Sequence, residues 1–312
     1  MRIRVARPDD APAVVALRAT VFPYLVRGVE STRKMIAEPP PEEEWTAFVA
    51  EVDERVVGWV SAERIGTTSA ANVGGINLLH VHPEHRRRGI GTALLAAATE
   101  FLRPLGIRRV RAMAQPDALP YARRHGYEPS REVRYSALDL NPVPALPAPP
   151  PGVRLLPIAE LDPHLLYAAD VASAADEPGD LPVDAKSYDS WQYDVWDNLG
   201  LDKAASIAAE VDGEVVAFSL VKRDGDRMWS DYTGSIPAYR GRGLARLAKT
   251  AALHRAAADG VRVAYTSNDE ANAPMLAINA RLGYRPVASQ WSCLADLTDE
   301  VGDERWQLRR GR

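Results

Sequence analysis

The 312-residue chain predicts an α/β (α+β) protein made of two similar units in tandem. Three observations lead there. A proline-rich stretch from Asn141 to Gly152 divides the chain near its middle, and such a stretch lacks ladder donors and favours an extended, semi-rigid backbone. The same order of strand, turn and helix signals recurs on both sides of it, which marks an internal duplication. Each side also carries one arginine- and glycine-rich loop between a strand pattern and a long alanine-rich helix pattern. The expected organisation is a first unit over 1–140, a linker over 141–152 and a second unit over 153–312, each near the ~150 residues that organise one core.

Taken in order, Arg2 to Val5 and Val153 to Leu156 predict opening strands, each followed by a helical stretch. Ala47 to Val52 and Val56 to Ala62, joined by Asp53-Glu54-Arg55, predict a strand pair. Ala204 to Val211 and Glu214 to Val221 repeat it around Asp212-Gly213, a tight-turn dipeptide. A further strand covers about Gly75 to Val81, matched by Met228 to Ile236. Each runs into a proline, Pro83 or Pro237, then the loop, then a helix near Gly91 to Leu102 or Leu244 to Ala258. Strands at Arg108 to Ala114 and Arg262 to Thr266 follow, then a short helix, a Gly-Tyr pair (Gly126-Tyr127, Gly283-Tyr284) and a closing β-rich segment. The loop arginines Arg86 and Arg240 lie 154 residues apart and the Gly-Tyr pairs 157 apart, a parallel spacing that chance does not produce.

Composition narrows the function classes. No apolar run approaches the ~20 residues that span a bilayer, and the first ten residues contain no signal-peptide core; a cytoplasmic protein without membrane partners is expected. A single cysteine, Cys293, excludes an internal disulfide, and six scattered histidines lack metal-ligand spacing. A net charge of −4 opposes general nucleic-acid binding. The charge is unevenly placed: nine arginines fall between Arg86 and Arg124, and eleven carboxylates against one lysine between Glu160 and Asp202.

The two loops are the candidate anion sites. In the first half Val81 leads to Arg86, Arg87, Arg88, Gly89, Ile90, Gly91 and Thr92; in the second Ser235 and Ile236 lead to Arg240, Gly241, Arg242, Gly243, Leu244 and Ala245. Glycines let backbone N–H groups converge on an anion, and the helix that follows presents unpaired N–H groups and its positive dipole end. Arginines add charge and forked hydrogen bonds. A pyrophosphate fits such a turn.

At this point the sequence resembles the GNAT superfamily of acetyltransferases, whose acyl-CoA motif is Arg or Gln, two residues, Gly, one residue, then Gly or Ala. Arg86, Gly89 and Gly91 match it, as do Arg240, Gly243 and Ala245; the Gly-Tyr pairs resemble the family's closing glycine-aromatic pair. The resemblance covers nearly the whole chain. It implies two mixed sheets, each splayed between its fourth and fifth strands and flanked by helices, with acetyl-CoA as co-substrate. It further implies direct attack of an amine on the thioester and no metal.

Many members place a tyrosine four residues before the closing glycine; here Ala122 and Asn279 stand there. Tyr121 is one residue off, and Tyr232 is a candidate acid in the second half. Asn268 and Asn272 follow the fifth strand of that half, where related enzymes hold the pantetheine arm. Asp231 is the candidate base, and its first-half counterpart is Asn77. These contrasts predict a catalytic second half and a first half that is a degenerate or structural copy still able to hold CoA. The acidic segment with Asp189, Trp191 and Asp194 is the expected acceptor wall, because carboxylates concentrate a cationic amine. The expected acceptor is therefore a primary amine of a small, cationic molecule, and the expected state is a monomer or homodimer.

Two alternatives have their own residues. The first half also looks like that of mycothiol synthases, tandem enzymes acetylating a cysteinyl pseudodisaccharide, through Val81-His82-Pro83 and Arg86 to Thr92; the second departs at Pro274 to Asn279. The absent tyrosines suit a non-catalytic acyl-CoA-binding protein.

Overall fold

A computed structural model describes residues 1–40, 43–66, 68–174, 179–182 and 184–297; the stretch 298–312 of the expected second unit lies outside them. The first half contains β1 (Arg2–Val5), α1 (Ala11–Val21), α2 (Val29–Ala37), β2 (Trp45–Val52), β3 (Arg55–Arg64), β4 (Val73–Val81), α3 (Ile90–Leu102), β5 (Arg109–Ala114), α4 (Leu119–Arg124) and β6 (Glu128–Asp139). The second contains β7 (Arg154–Pro157), α5 (Pro163–Ala174), α6 (Tyr188–Trp191), β8 (Ile207–Val211), β9 (Glu214–Asp224), β10 (Arg227–Ser235), α7 (Leu244–Ala258), β11 (Val263–Asp269), α8 (Ala273–Leu282) and β12 (Arg285–Asp296). The strand order repeats, as the internal duplication requires.

All twelve strands form one sheet in the order β1-β2-β3-β4-β5-β12-β6-β11-β10-β9-β8-β7. The closing strands are exchanged. β12, from the second half, pairs antiparallel with β5 from Trp291↔Ala114 to Asp296↔Arg109. β6, from the first half, pairs antiparallel with β11 from Val263↔Asp139 to Asp269↔Val133. The two exchanged strands pair with each other at the centre. Cys293 accordingly lies, fully buried, in the first-half core beside Ile76, Leu95 and Tyr127. The free edges, β1 and β7, are four residues each, too short to template much pairing.

Helix α3 buries Ile90, Leu94, Ala98 and Leu102, a stripe every four residues that packs on the first half of the sheet. Each buried leucine there contributes roughly 1.5–3 kcal/mol. Helix α7 covers the second half with Leu244, Leu247, Ala248 and Ala251, and also buries Lys249.

β4 and β5 run parallel and pair only from Val73↔Arg109 to Ile76↔Ala112. β10 and β11 pair only from Arg227↔Val263 to Trp229↔Tyr265. Beyond those points each pair parts, which opens the splay that the family resemblance implies. Both inner strands also carry an irregularity at the opening: the β3/β4 register shifts between Trp59 and Ser61, with Leu78 at φ +54°, and the β9/β10 register shifts between Ser230 and Thr233. Bulges of this kind leave backbone groups off the ladder and re-aim side chains.

Candidate active site

The two loops have nearly the same backbone. Gly89 and Gly243 both cap their helices at φ +79°, and two residues earlier Arg87 (+63°) and Gly241 (+74°) are also left-handed. Arg86 Nε donates to the Val81 carbonyl at 3.2 Å and Arg240 Nε to the Ser235 carbonyl at 3.3 Å. A Cβ placed on Gly89 or Gly243 would meet no atom within 4 Å. Both glycines are exposed, and the N–H groups that α3 and α7 leave unpaired at such a helix mouth suit a phosphate. Arg242 donates to the Ala238 carbonyl at 3.1 Å and lies 4.6 Å from the Tyr239 ring centroid.

In the first half a cleft of about 2800 Å³ runs from this loop through the splay. Gly91, Leu95, Ala112, Ala114, Ala122 and Tyr127 line it. Gln290 of β12 and Tyr135 of β6 also line it, joined by a 2.9 Å hydrogen bond. The Tyr121 and Tyr127 hydroxyls are buried there, with no geometrically sound hydrogen bond among the described residues. Tyr121 faces Thr92 and Gly91, and burial raises its pKa.

The far end of the cleft is charged. Glu63 on β3 accepts a 2.9 Å hydrogen bond from Asn77 Nδ2 on β4. Burial raises its pKa and Asp194 adds to that, against the opposing effects of the Asn77 bond, Arg111 and Arg27. Burial, reinforced by Glu63 and Asp194, pushes Glu43 up to about 8. Asp194, from the turn after α6, reaches this end from the second half and is paired with Lys186.

The second half is furnished differently at the matching positions. The β2/β3 and β8/β9 turns lie 159 residues apart, which sets Glu63 against Lys222; the loop spacing sets Asn77 against Asp231. The structure pairs Lys222 with Asp231 at 2.8 Å, so a carboxylate–amide pair in one half is an ion pair in the other. Tyr232, beside Asp231, packs its ring 5.6 Å from that of Phe218. Asn268 accepts a 2.6 Å bond from Asn279 Nδ2, and Asn279 Oδ1 accepts a 2.8 Å bond from Lys249. The Lys249 ammonium lies 4.9 Å from the Tyr284 ring centroid, and Tyr284 shares a 2.9 Å bond with Ser230. Burial lowers Lys249 to about 7. Asn272 caps α8, accepting from Met275 N at 3.2 Å.

Among the expected acceptor-wall residues, Asp189 is exposed on α6. Trp191 is 2% exposed in the core and donates its indole N–H to Asp170 at 2.6 Å, so no face of it is open to a ligand. Asp194 lines the first-half cleft. Glu63 and Glu43 escape a reading of the β4 and β10 positions alone; the signal for Glu63 was the turn spacing, which pairs it with a residue of opposite charge.

A glycine turn at a helix mouth, of the kind that suits a phosphate, and a cleft leading from it through parted parallel strands point to an acyl-CoA-dependent transferase. The chain belongs to the Acetyltransferase (GNAT) family, whose model matches residues 16–127 and again 172–284. It is therefore an acyltransferase with acetyl-CoA as donor. It is 30% identical over 263 residues to a mycothiol acetyltransferase of Nocardioides sp., an alignment covering 80% of this chain and 88% of that one. An aminoglycoside N(6')-acetyltransferase type 1 of Stenotrophomonas maltophilia is 27% identical over 148 residues, covering 45% of this chain and 94% of its own. Among solved structures, a tandem GNAT protein from the clavulanic acid biosynthesis pathway superposes with a TM-score of 0.72 at 22% identity, covering 95% of this chain and 98% of that one, a likeness of fold. Among the described residues no helix is long and apolar enough to cross a membrane.

Proposed function

We propose that the chain acetylates a primary amine of a small, cationic acceptor by direct attack, and that the reaction runs in the first-half cleft. One observation carries this reading: a single cleft joins the Arg86–Thr92 loop to the half-buried Glu63–Asn77 pair. Glu63 takes the proton from the attacking nitrogen as the new C–N bond forms and the C–S bond of the thioester breaks. Burial raises its pKa, which makes the carboxylate a stronger proton acceptor. Asn77 orients the carboxylate. The relative named an aminoglycoside acetyltransferase supports a cationic amine acceptor, and a cytoplasmic setting goes with this reading.

A second reading places the reaction in the second half, with Asp231 as base and Tyr232 as acid. The amide-rich turn at Asn268 and Asn272 favours it. Paired variants decide between the two. Replacing Arg86 and Gly89 abolishes turnover, and replacing Arg240 and Gly243 spares it, if the first half is catalytic; the reverse pattern moves the chemistry to the second half. In the first case Glu63→Gln lowers kcat by ~10²–10⁴ without loss of acetyl-CoA binding. A cysteinyl pseudodisaccharide belongs in the acceptor panel because of the mycothiol acetyltransferase relatives.

A further inference from the structure

The acceptor end of the first-half cleft holds a charge that proton removal does not use. Arg27, between α1 and α2, lines this cleft. Among the described residues it has no carboxylate within 4.0 Å; its one side-chain hydrogen-bond contact is to the Met35 sulfur at 3.4 Å. Burial lowers its pKa, and Asp231, Glu63 and Asp194 compensate only from a distance. Arg27 is half-buried, and a guanidinium in that position with no carboxylate beside it gains when an anion meets it.

The carboxylates at the same end are Glu63, Glu43 and Asp194, of which only Asp194 has an ammonium partner, Lys186. Beyond the Lys186–Asp194 pair, Glu63 and Glu43 face Arg27, with Arg111 a further cation acting on Glu63. A diamine would meet the carboxylates but leave Arg27 unmet and repelled. A neutral amino acid would meet Arg27 and one carboxylate and leave Glu43 unmatched. A molecule with one carboxylate and two amines offers a partner to Arg27, to Glu43 and to Glu63.

We propose that the acceptor is a basic amino acid: its carboxylate on Arg27, one ammonium between Glu43 and Asp194, and its second amine presented to Glu63 for acetylation. The site is then a joint product of the two halves, since Asp194 comes from the second. This assignment rests on the reading that the first-half cleft acetylates amines.

The test uses the full chain with acetyl-CoA and follows release of the CoA thiol. L-lysine, L-ornithine and 2,4-diaminobutyrate are compared with the diamines that lack their carboxylate, and with norleucine, which lacks the second amine. At least one diamino acid should exceed both of its comparators in kcat/KM by about 10- to 100-fold, as expected of a charge-assisted contact out of water. Arg27→Met should collapse the preference over the diamine toward unity, and Arg27→Lys should keep part of it. Thermal unfolding confirms that each variant is folded, and the wild-type panel decides the matter should Arg27→Met not fold. A diamine that matches or beats its diamino acid, or a preference unchanged in folded Arg27→Met, overturns the assignment while leaving amine acetylation intact. No thiol release with any amine overturns the underlying reading and this one with it.

Discussion

Lys249 offers a quantitative test of the second half's interior. It is 1% exposed, its ammonium donates to Asn279 at 2.8 Å, and no carboxylate lies within 4.0 Å of it among the described residues. Burial holds it at about 7 against the usual 10.5. In the folded chain the proton leaves near pH 7; in the unfolded chain it stays until about 10.5. Between those values the unfolded state binds more protons, so stability rises with pH. At about 1.4 kcal/mol per pH unit, the full gap is worth up to roughly 5 kcal/mol. Lys249→Met removes the titrating group. Urea unfolding of both proteins at pH 7, 8, 9 and 10 and fixed ionic strength should show the variant's advantage over wild type shrinking steadily as pH rises. Other groups are common to both proteins and cancel in the difference. A difference that does not change with pH would mean that Lys249 stays charged throughout, and the inference of an uncompensated interior cation would be wrong.

Three further outcomes follow from the same geometry. Gly89→Ala places a methyl on a left-handed backbone at φ +79°, costing ~1–2 kcal/mol, and should weaken acetyl-CoA binding at least tenfold by calorimetry. Gly106→Ala, also left-handed at +71° but away from the loop, should lose similar stability and no affinity. Because Glu43 ionises at about 8, the KM of a cationic acceptor should fall as pH rises through that value, and Glu43→Gln should flatten the profile. Residues 1–140 expressed alone lack β12 and leave β5 without its partner. They should self-associate or stay unfolded in sedimentation experiments, and co-expression with 141–312 should restore a one-to-one complex; a folded monomer of 1–140 that binds acetyl-CoA would contradict the exchange.

Much of the fold was legible because the chain states it twice. Patterns of alternation and the loop spacing located both hairpins, both central helices and both glycine turns, and α7 has the bounds read from the sequence. The exchange of β6 and β12 was not legible, for a physical reason: duplicated strands have equivalent faces, so pattern alone cannot say which sheet each completes. The turn glycines Gly89 and Gly243 were legible, because a left-handed helix cap at φ +79° favours that residue. The site was less legible at Glu63, whose position depends on the turn between β2 and β3, and at Asp194, whose acidic segment was expected to serve its own half. Trp191 shows the limit of aromatic patterning, since its ring fills the core among Tyr167, Tyr188 and Trp196.

The crossing of the closing strands has a consequence for how such a protein can change over time. Gln290 helps to line the cleft of the first half and Cys293 packs in its core, yet both belong to β12 of the second half. Neither copy can be deleted without opening the other, so one is free to lose its chemistry but not its presence. A lapsed copy would be retained as scaffolding, and a chain of this kind ages like a fused obligate dimer rather than like beads on a string.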